Sequence, residues 1–138
     1  MTITVTSGTV ATLLAEAARA YPRESCGLLL GQGSRIALAQ PAANVHAEPE
    51  RHFELDPKAL IAAHRAARAG GLELLGFYHS HPNGRAGPSP TDQAAASRDG
   101  RIWAIIAAGE VSWWRDAAHG FEPLPTRVAA GQISRKPD

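Results

Sequence analysis

The chain has 138 residues, of which 44% are hydrophobic and 20% are charged, and its formal net charge at pH 7 is +1. This length fits one domain with a real hydrophobic core, and the near-neutral charge gives no reason to expect nucleic acid or an anionic membrane as a partner. The single cysteine, Cys26, excludes an internal disulfide framework and favours a reducing compartment.

The N-terminal segment has no basic region and carries Glu16 and Arg19 within its apolar part, so it does not resemble a signal peptide. No apolar run approaches the roughly 20 residues that a membrane-spanning helix needs. We therefore expect a cytoplasmic protein.

Hydrophobic periodicity and turn residues predict a mixture of strands and helices. The expected strands lie at residues 2–6, 26–31, 35–39, 53–55, 72–79, 101–107, 110–115 and 121–128. The expected helices are one at residues 8–21, a second from Asp56-Pro57 to a stop at Gly70-Gly71, and a short third opened by Ser89-Pro90. Pro123 and Pro125 restrict the last strand to a sheet edge.

The order of these elements is mixed α/β, with hairpins that imply antiparallel pairing, and it indicates an α/β protein of the α+β type. We expect one domain over residues 1–128 and a tail over residues 129–138. A polar, proline-broken loop over residues 40–52 is long enough to flank a binding site.

The stretch HSHPNGRAGPSPTD, residues 79–92, is the most informative part of the chain. His79 and His81 lie two apart at the end of a predicted strand, so both rings leave the same face and can reach one metal ion. Asp92 lies in the first turn of the next helix. Two imidazoles and one carboxylate can fill three corners of a tetrahedral zinc site and leave the fourth open for water, as in a catalytic zinc. Ser89 and Asp92 also fit a plain helix N-terminus with its cap.

A zinc-activated water also needs a proton acceptor that is not a metal ligand. Glu24, directly before the apolar CGLLLG strand, is the best candidate, although the sequence alone does not place it beside the metal. Ser89 can donate a hydrogen bond to an oxyanion on the substrate. Ser80 is expected on the opposite strand face, in a structural role.

Glu24, CGLLLG and HSHPNGRAGPSPTD together resemble the JAMM (MPN+) metalloproteases of the Mov34/MPN/PAD-1 group, whose pattern is an upstream Glu followed by His-x-His-x7-Ser-x2-Asp. The resemblance covers nearly the whole chain. It implies an MPN fold, with a mixed, mostly antiparallel curved sheet flanked by about three helices. It also implies one zinc ion held by His79, His81 and Asp92, with Glu24 as general base and then acid, and Ser89 steadying the tetrahedral intermediate.

The chain is similar to compact prokaryotic members that look like peptidases of ubiquitin-like sulfur carrier proteins, cutting after a C-terminal Gly-Gly. It lacks the long insertions of the deubiquitinases. Such a thin tail can add as a strand beside a sheet edge. The candidate substrate contacts are Phe77, Tyr78, and the loops at residues 40–52 and from Pro82 to Pro88. Two alternatives stay open, a general isopeptidase acting on protein conjugates and a non-catalytic MPN-type scaffold.

Overall fold

The structure is a computed structural model that describes residues 1–130. Its elements, in chain order, are β1 (Ile3–Thr6), α1 (Ser7–Ala20), β2 (Cys26–Gln32), β3 (Arg35–Ala42), α2 (Pro57–Arg68), β4 (Glu73–Ser80), α3 (Pro90–Ala95), β5 (Ile102–Ala107), β6 (Glu110–Ala117), β7 (Gly120–Pro123) and β8 (Thr126–Ala129). The predicted tail lies outside the described residues except for 129 and 130, and residue 129 still belongs to β8.

The eight strands form one sheet in the order β7-β6-β5-β4-β2-β3-β1-β8. Four neighbouring pairs are antiparallel, whereas β4–β5, β1–β3 and β1–β8 are parallel. The expectation of a mixed, mostly antiparallel sheet with three helices is therefore confirmed.

The sheet is curled, and its two edge strands, β7 and β8, are joined by the short segment 124–125. Leu124 donates its N–H to the carbonyl of Trp113 on β6 at 2.9 Å, and the next carbonyl, that of Pro125, accepts from Ile3 on β1 at 3.0 Å. The prediction of a single strand over residues 121–128 is therefore wrong. Pro125 has no N–H for a strand ladder, so the chain leaves one edge there and joins the opposite edge as β8.

Each face of the sheet is covered by a helix, and β2 shows this by alternation. Leu29 packs into the larger core beneath α1, whereas Leu28 and Leu30 pack into the smaller core beneath α2. A strand buried on both faces has to be apolar throughout, which explains the uninterrupted CGLLLG run.

Side chains cap all three helices. Thr6 caps α1, and the predicted caps Asp56 and Ser89 are confirmed for α2 and α3. The predicted strand at residues 53–55 is reduced to one isolated bridge between Leu55 and Asn44, because the chain there closes a loop and does not join the sheet. Within residues 1–130, no helix is long and apolar enough to cross a membrane.

Candidate metal centre and active site

The end of β4 and the start of α3 bring His79, His81 and Asp92 together. The Nε2 atoms of the two histidines are 3.0 Å apart. Nε2 of His79 lies 3.0 Å from Oδ1 of Asp92, and Nε2 of His81 lies 3.1 Å from Oδ2. The three residues are buried, and their ligand atoms all lie within 4.8 Å of one another. Four potential donor atoms thus converge on one point, an arrangement that suits a metal ion.

A reciprocal pair of hydrogen bonds orients the Asp92 carboxylate. The N–H of Asp92 donates to Oγ of Ser89 at 3.1 Å, and the N–H of Ser89 donates to Oδ2 of Asp92 at 2.9 Å. This capping box anchors the helix start and points the carboxylate at the histidines. The capping and metal-binding interpretations of Asp92 are therefore compatible.

The second ring nitrogens of the two histidines have different surroundings. Nδ1–H of His81 donates to the backbone carbonyl of Arg85 at 2.8 Å, which leaves its Nε2 lone pair free for a metal. Nδ1 of His79 has no hydrogen-bond partner within residues 1–130. The His79 ring instead stacks on Phe53, with centroids 4.4 Å apart, and meets Trp103 edge-on at 5.7 Å.

The electrostatics of the cluster favour a bound cation. Burial lowers the pKa of His79, so its imidazole is neutral, as a metal ligand must be. Burial acts the same way on His81, but its contacts with Asp92 and with the Arg85 carbonyl outweigh it and raise its pKa. Burial acts to raise the pKa of Asp92, yet its close contacts with both imidazoles hold it well below the usual range. A buried carboxylate that stays ionised beside a neutral imidazole fits a metal-ligand set.

Strand pairing places Glu24 beside this cluster. Cys26 pairs with His79 across the antiparallel strands β2 and β4. The pairing continues for one more residue, since the Ser25 N–H donates to Oγ of Ser80 at 2.8 Å and the Ser80 N–H donates to the Ser25 carbonyl at 3.0 Å. The same register brings Glu24 opposite His81. Ser80 thus has the structural role expected for it.

The Glu24 side chain is 7% exposed and lines the cavity above the cluster. Its carboxylate makes no hydrogen bond or ion pair with any residue in the range 1–130. Burial raises the pKa of Glu24 to about 7, with His81 opposing the shift and Asp92 adding to it. A carboxyl group that titrates near neutral pH can both accept and return a proton.

The Ser89 hydroxyl can still donate a hydrogen bond. Its oxygen accepts the Asp92 N–H, but its own hydrogen has no acceptor among residues 1–130. Ser89 is half-buried and lines the same cavity. It can therefore cap α3 and donate to a bound ligand at the same time.

The cavity has a volume of about 540 Å³, and two loops form much of its wall. The loop at residues 45–54 contributes His46, Arg51, His52 and Phe53, and the loop that follows β4 contributes Pro82, Asn83 and Arg85. Of the two strand candidates for substrate contact, Phe77 lines the cavity. Tyr78 does not, because its side chain leaves the opposite strand face and is fully buried in the core beneath α1.

Sequence reasoning missed three parts of this site. The sequence predicts a strand at Phe53 and only a loop at Asn44, and the acceptor for His81 is a backbone carbonyl that no side-chain pattern reveals. The Trp103 ring packs edge-on against the ring of the candidate ligand His79. A loop too long to be a simple connector was the only signal in the sequence for the first two.

Residues 6–116 match the family model described as prokaryotic homologs of the JAB domain. Desampylase from Haloferax volcanii is 40% identical over 88 residues, covering 62% of this chain and 63% of that protein. The probable TtuB-protein conjugate cleaving protease from Thermus thermophilus is 43% identical over 74 residues, covering 54% of this chain and 49% of that protein. The chain therefore spans less than two thirds of the length of either relative.

The fold is also that of a solved structure. A JAB1/MPN domain protein from Archaeoglobus fulgidus superposes with a TM-score of 0.58 at 19% identity, covering 90% of this chain and 95% of that one. This likeness confirms the MPN fold that the sequence resemblance implied. Since the family match spans most of the described residues, the chain belongs to the prokaryotic homologs of the JAB domain.

Proposed function

We propose that this protein is a zinc-dependent peptidase that hydrolyses the peptide or isopeptide bond after the C-terminal Gly-Gly of a ubiquitin-like sulfur carrier protein. The observation that carries the proposal is the convergence of His79, His81 and Asp92 beneath a cavity wall that holds Glu24. The names of the two relatives, a desampylase and a probable protease that cleaves TtuB-protein conjugates, support the substrate class. A reducing cytoplasm is the proposed location.

Zinc suits this donor set better than the common hard cations do. Imidazole nitrogen is a good ligand for zinc, whereas calcium and magnesium prefer sites made of oxygen atoms. Nε2 of His79, Nε2 of His81 and the Asp92 carboxylate would hold the ion. When bound, zinc supplies a Lewis acid that makes water a usable nucleophile near neutral pH.

Glu24 and Ser89 supply the remaining chemistry in this proposal. The Glu24 carboxylate takes the proton of the attacking water and then delivers it to the leaving amine. The free O–H of Ser89 donates a hydrogen bond to the carbonyl oxygen of the scissile bond as negative charge develops there. The bond between the Gly carbonyl carbon and the amine nitrogen breaks, and the products are a carrier ending in Gly-Gly and a free amine.

The cavity suits a narrow, extended tail. Phe53, Phe77 and Leu60 give it apolar walls, and both loops contribute to its lining. Glycine residues have no side chain to fit between those walls, so their backbone can approach the metal closely.

The test is a cleavage assay on defined substrates read by mass spectrometry. The zinc-loaded protein is incubated with the organism's own ubiquitin-like carriers, prepared with a short linear extension after Gly-Gly and, separately, joined to a lysine side chain. Release of carrier that ends at Gly-Gly, lost on chelation and restored by zinc, is the expected result. The ratio of the two rates separates a peptidase from a general isopeptidase. Stoichiometric binding of the carrier without cleavage by the zinc-loaded protein would leave only the scaffold alternative.

A further inference from the structure

Asn44 is half-buried and lies between β3 and the loop at residues 45–54. Its side chain makes five hydrogen bonds, all of them to backbone groups. Its Nδ2 group donates to the carbonyl of Glu24 at 3.1 Å, to that of His52 at 3.0 Å and, more weakly, to that of Pro49 at 3.4 Å. Its Oδ1 accepts from two backbone amides, those of His46 and Glu54, each at 3.1 Å. One carboxamide thus joins five backbone groups.

These bonds fix the backbone of Glu24 on both sides. The carbonyl of Glu24 accepts from Asn44, and the N–H of Glu24 donates to the carbonyl of Pro49 at 2.8 Å. Pro49 is itself a partner of Asn44. Glu24 lies just before β2, and its backbone makes no hydrogen bond with a neighbouring strand. The loop and Asn44 therefore supply its backbone hydrogen-bond partners, on the side that faces away from β4.

The same side chain closes the cavity loop. The isolated bridge between Asn44 and Leu55 forms the neck of the loop, where the Val45 N–H donates to the Glu54 carbonyl at 2.9 Å. Asn44 adds bonds to both arms above that neck, at His46 on one side and His52 on the other. His52 directly precedes Phe53, whose ring stacks on the candidate ligand His79.

We infer that Asn44 is a positioning residue that locks the cavity loop to the backbone of Glu24 and so holds the Glu24 carboxylate in place over the metal site. The inference rests on the proposed function, since it assigns Asn44 to the proton-transfer step. This role also explains why residue 44 is an asparagine. The site needs an –NH2 facing three carbonyls and an oxygen facing two N–H groups, and an asparagine carboxamide offers both at this reach.

The position of a general base affects turnover more than metal binding. The Asn44 side chain makes no hydrogen bond with His79, His81 or Asp92, nor with any other residue of β4 or α3. A shift of the base by about 1 Å costs on the order of 100-fold in rate. Loss of the Asn44 bonds should therefore lower kcat while zinc affinity stays unchanged.

The experiment compares Asn44→Ala and the isosteric Asn44→Asp with the wild-type protein, alone and combined with Glu24→Gln. Asn44→Asp keeps the shape but turns an oxygen toward three carbonyls. We expect both variants to bind one zinc with wild-type affinity and to lose about 10- to 100-fold in kcat. In the Glu24→Gln background, we expect Asn44→Ala to lower kcat no further, because the group it positions is already absent. Asp99→Ala is the matched control, since Asp99 also anchors a turn through its side chain, by accepting the Arg101 N–H at 3.0 Å, but does not line the cavity.

Amide hydrogen exchange supplies a readout that does not depend on activity. In Asn44→Ala, the amide of Glu24 should exchange about tenfold faster, as should those of His46 and Glu54, with no change in the central residues of β4. An unchanged Glu24 amide would overturn the inference, as would wild-type kcat in both Asn44 variants or an undiminished Asn44→Ala effect in the Glu24→Gln background. If the wild-type protein cleaves no carrier, the proposed function fails separately, and the exchange data still decide whether Asn44 holds Glu24.

Discussion

Ser89 and Asp92 hold each other through two hydrogen bonds, one from each backbone N–H to the other side chain, at 3.1 and 2.9 Å. The hydrogen bonds that begin α3 therefore also orient one residue of the proposed metal site. Because the Ser89 oxygen serves as an acceptor there, its hydroxyl hydrogen is available for a ligand in the cavity. The helix cap and the proposed catalytic donor can thus be one residue.

Removing the Ser89 hydroxyl should affect both properties. Ser89→Ala loses the cap, at a cost of about 1 kcal/mol of unfolding free energy, and also the donor, at a cost of about 100- to 1000-fold in kcat. Thr6→Ala, which removes the cap of α1 away from the cavity, should lose at least as much stability, because the buried Thr6 hydroxyl also contacts that of Thr9, with activity retained. Urea unfolding and steady-state kinetics on both variants make the comparison. Equal activity losses in the two would mean that Ser89 acts only as a cap.

Substitution of Glu24 should separate chemistry from metal binding. Glu24→Gln should keep stoichiometric zinc, because no ligand changes, and lose about 100- to 10,000-fold in turnover, because the proton acceptor is gone. In the wild-type protein, kcat/KM should fall as the pH drops and Glu24 becomes protonated. In the metal-free protein the pKa of Glu24 is about 7, raised chiefly by burial, and a bound cation moves the midpoint lower by favouring the carboxylate. Zinc content and a pH–rate profile are the measurements, and wild-type-like turnover of the variant would refute the assignment.

The sequence predicted that three candidate metal ligands come together, because these residues are local in the chain. His79, His81 and Asp92 lie within one strand, one loop and one capped helix, each of which has a clear pattern. The place of Glu24 depends instead on the pairing of Cys26 with His79, which joins residues far apart in the chain. The contacts of Asn44 and Phe53 belong to an aperiodic loop, where side-chain hydrogen bonds set the path and no hydrophobic pattern exists to reveal it. The division of the last predicted strand into β7 and β8 around Pro125 could not be predicted, because it depends on how far the sheet curls.

The buried Glu24 should also destabilise the metal-free protein at high pH. Its pKa rises from a reference of 4.5 to about 7 on folding, so the folded state binds the proton more tightly than the unfolded state does. Its contribution to stability is complete below pH 4.5, declines between pH 4.5 and 7, and is lost above pH 7. Glu24→Gln, which mimics the protonated acid, should therefore stabilise the metal-free protein by about 1–3 kcal/mol at pH 8 and very little at pH 4.5.

Urea unfolding in the presence of a chelator, at both pH values, measures this difference. Glu110→Gln is the control, because it makes the same substitution at an exposed position. A Glu24→Gln variant less stable than the wild-type protein at pH 8 would show that the carboxylate is well solvated in the metal-free fold, contrary to its burial.

Zinc should stabilise the fold, and Asp92 should be necessary for that effect. At a free zinc concentration 100 times the Kd, binding adds about 2.7 kcal/mol to the unfolding free energy, which corresponds to a rise of about 8 °C in Tm for a chain of this size.

Asp92→Asn removes the only anionic ligand of the cluster while its side-chain oxygen can still accept the Ser89 N–H. We expect this variant to bind zinc about 100-fold more weakly or worse. The Tm of the metal-free variant should stay close to that of the metal-free wild-type protein. The rise in Tm that zinc causes should nearly vanish in the variant. Asp99→Asn, an exposed aspartate outside the cavity, should retain the full shift. Zinc competition with a chelator and thermal melts with and without zinc test this, and a full zinc-dependent shift in Asp92→Asn would return Asp92 to a capping role alone.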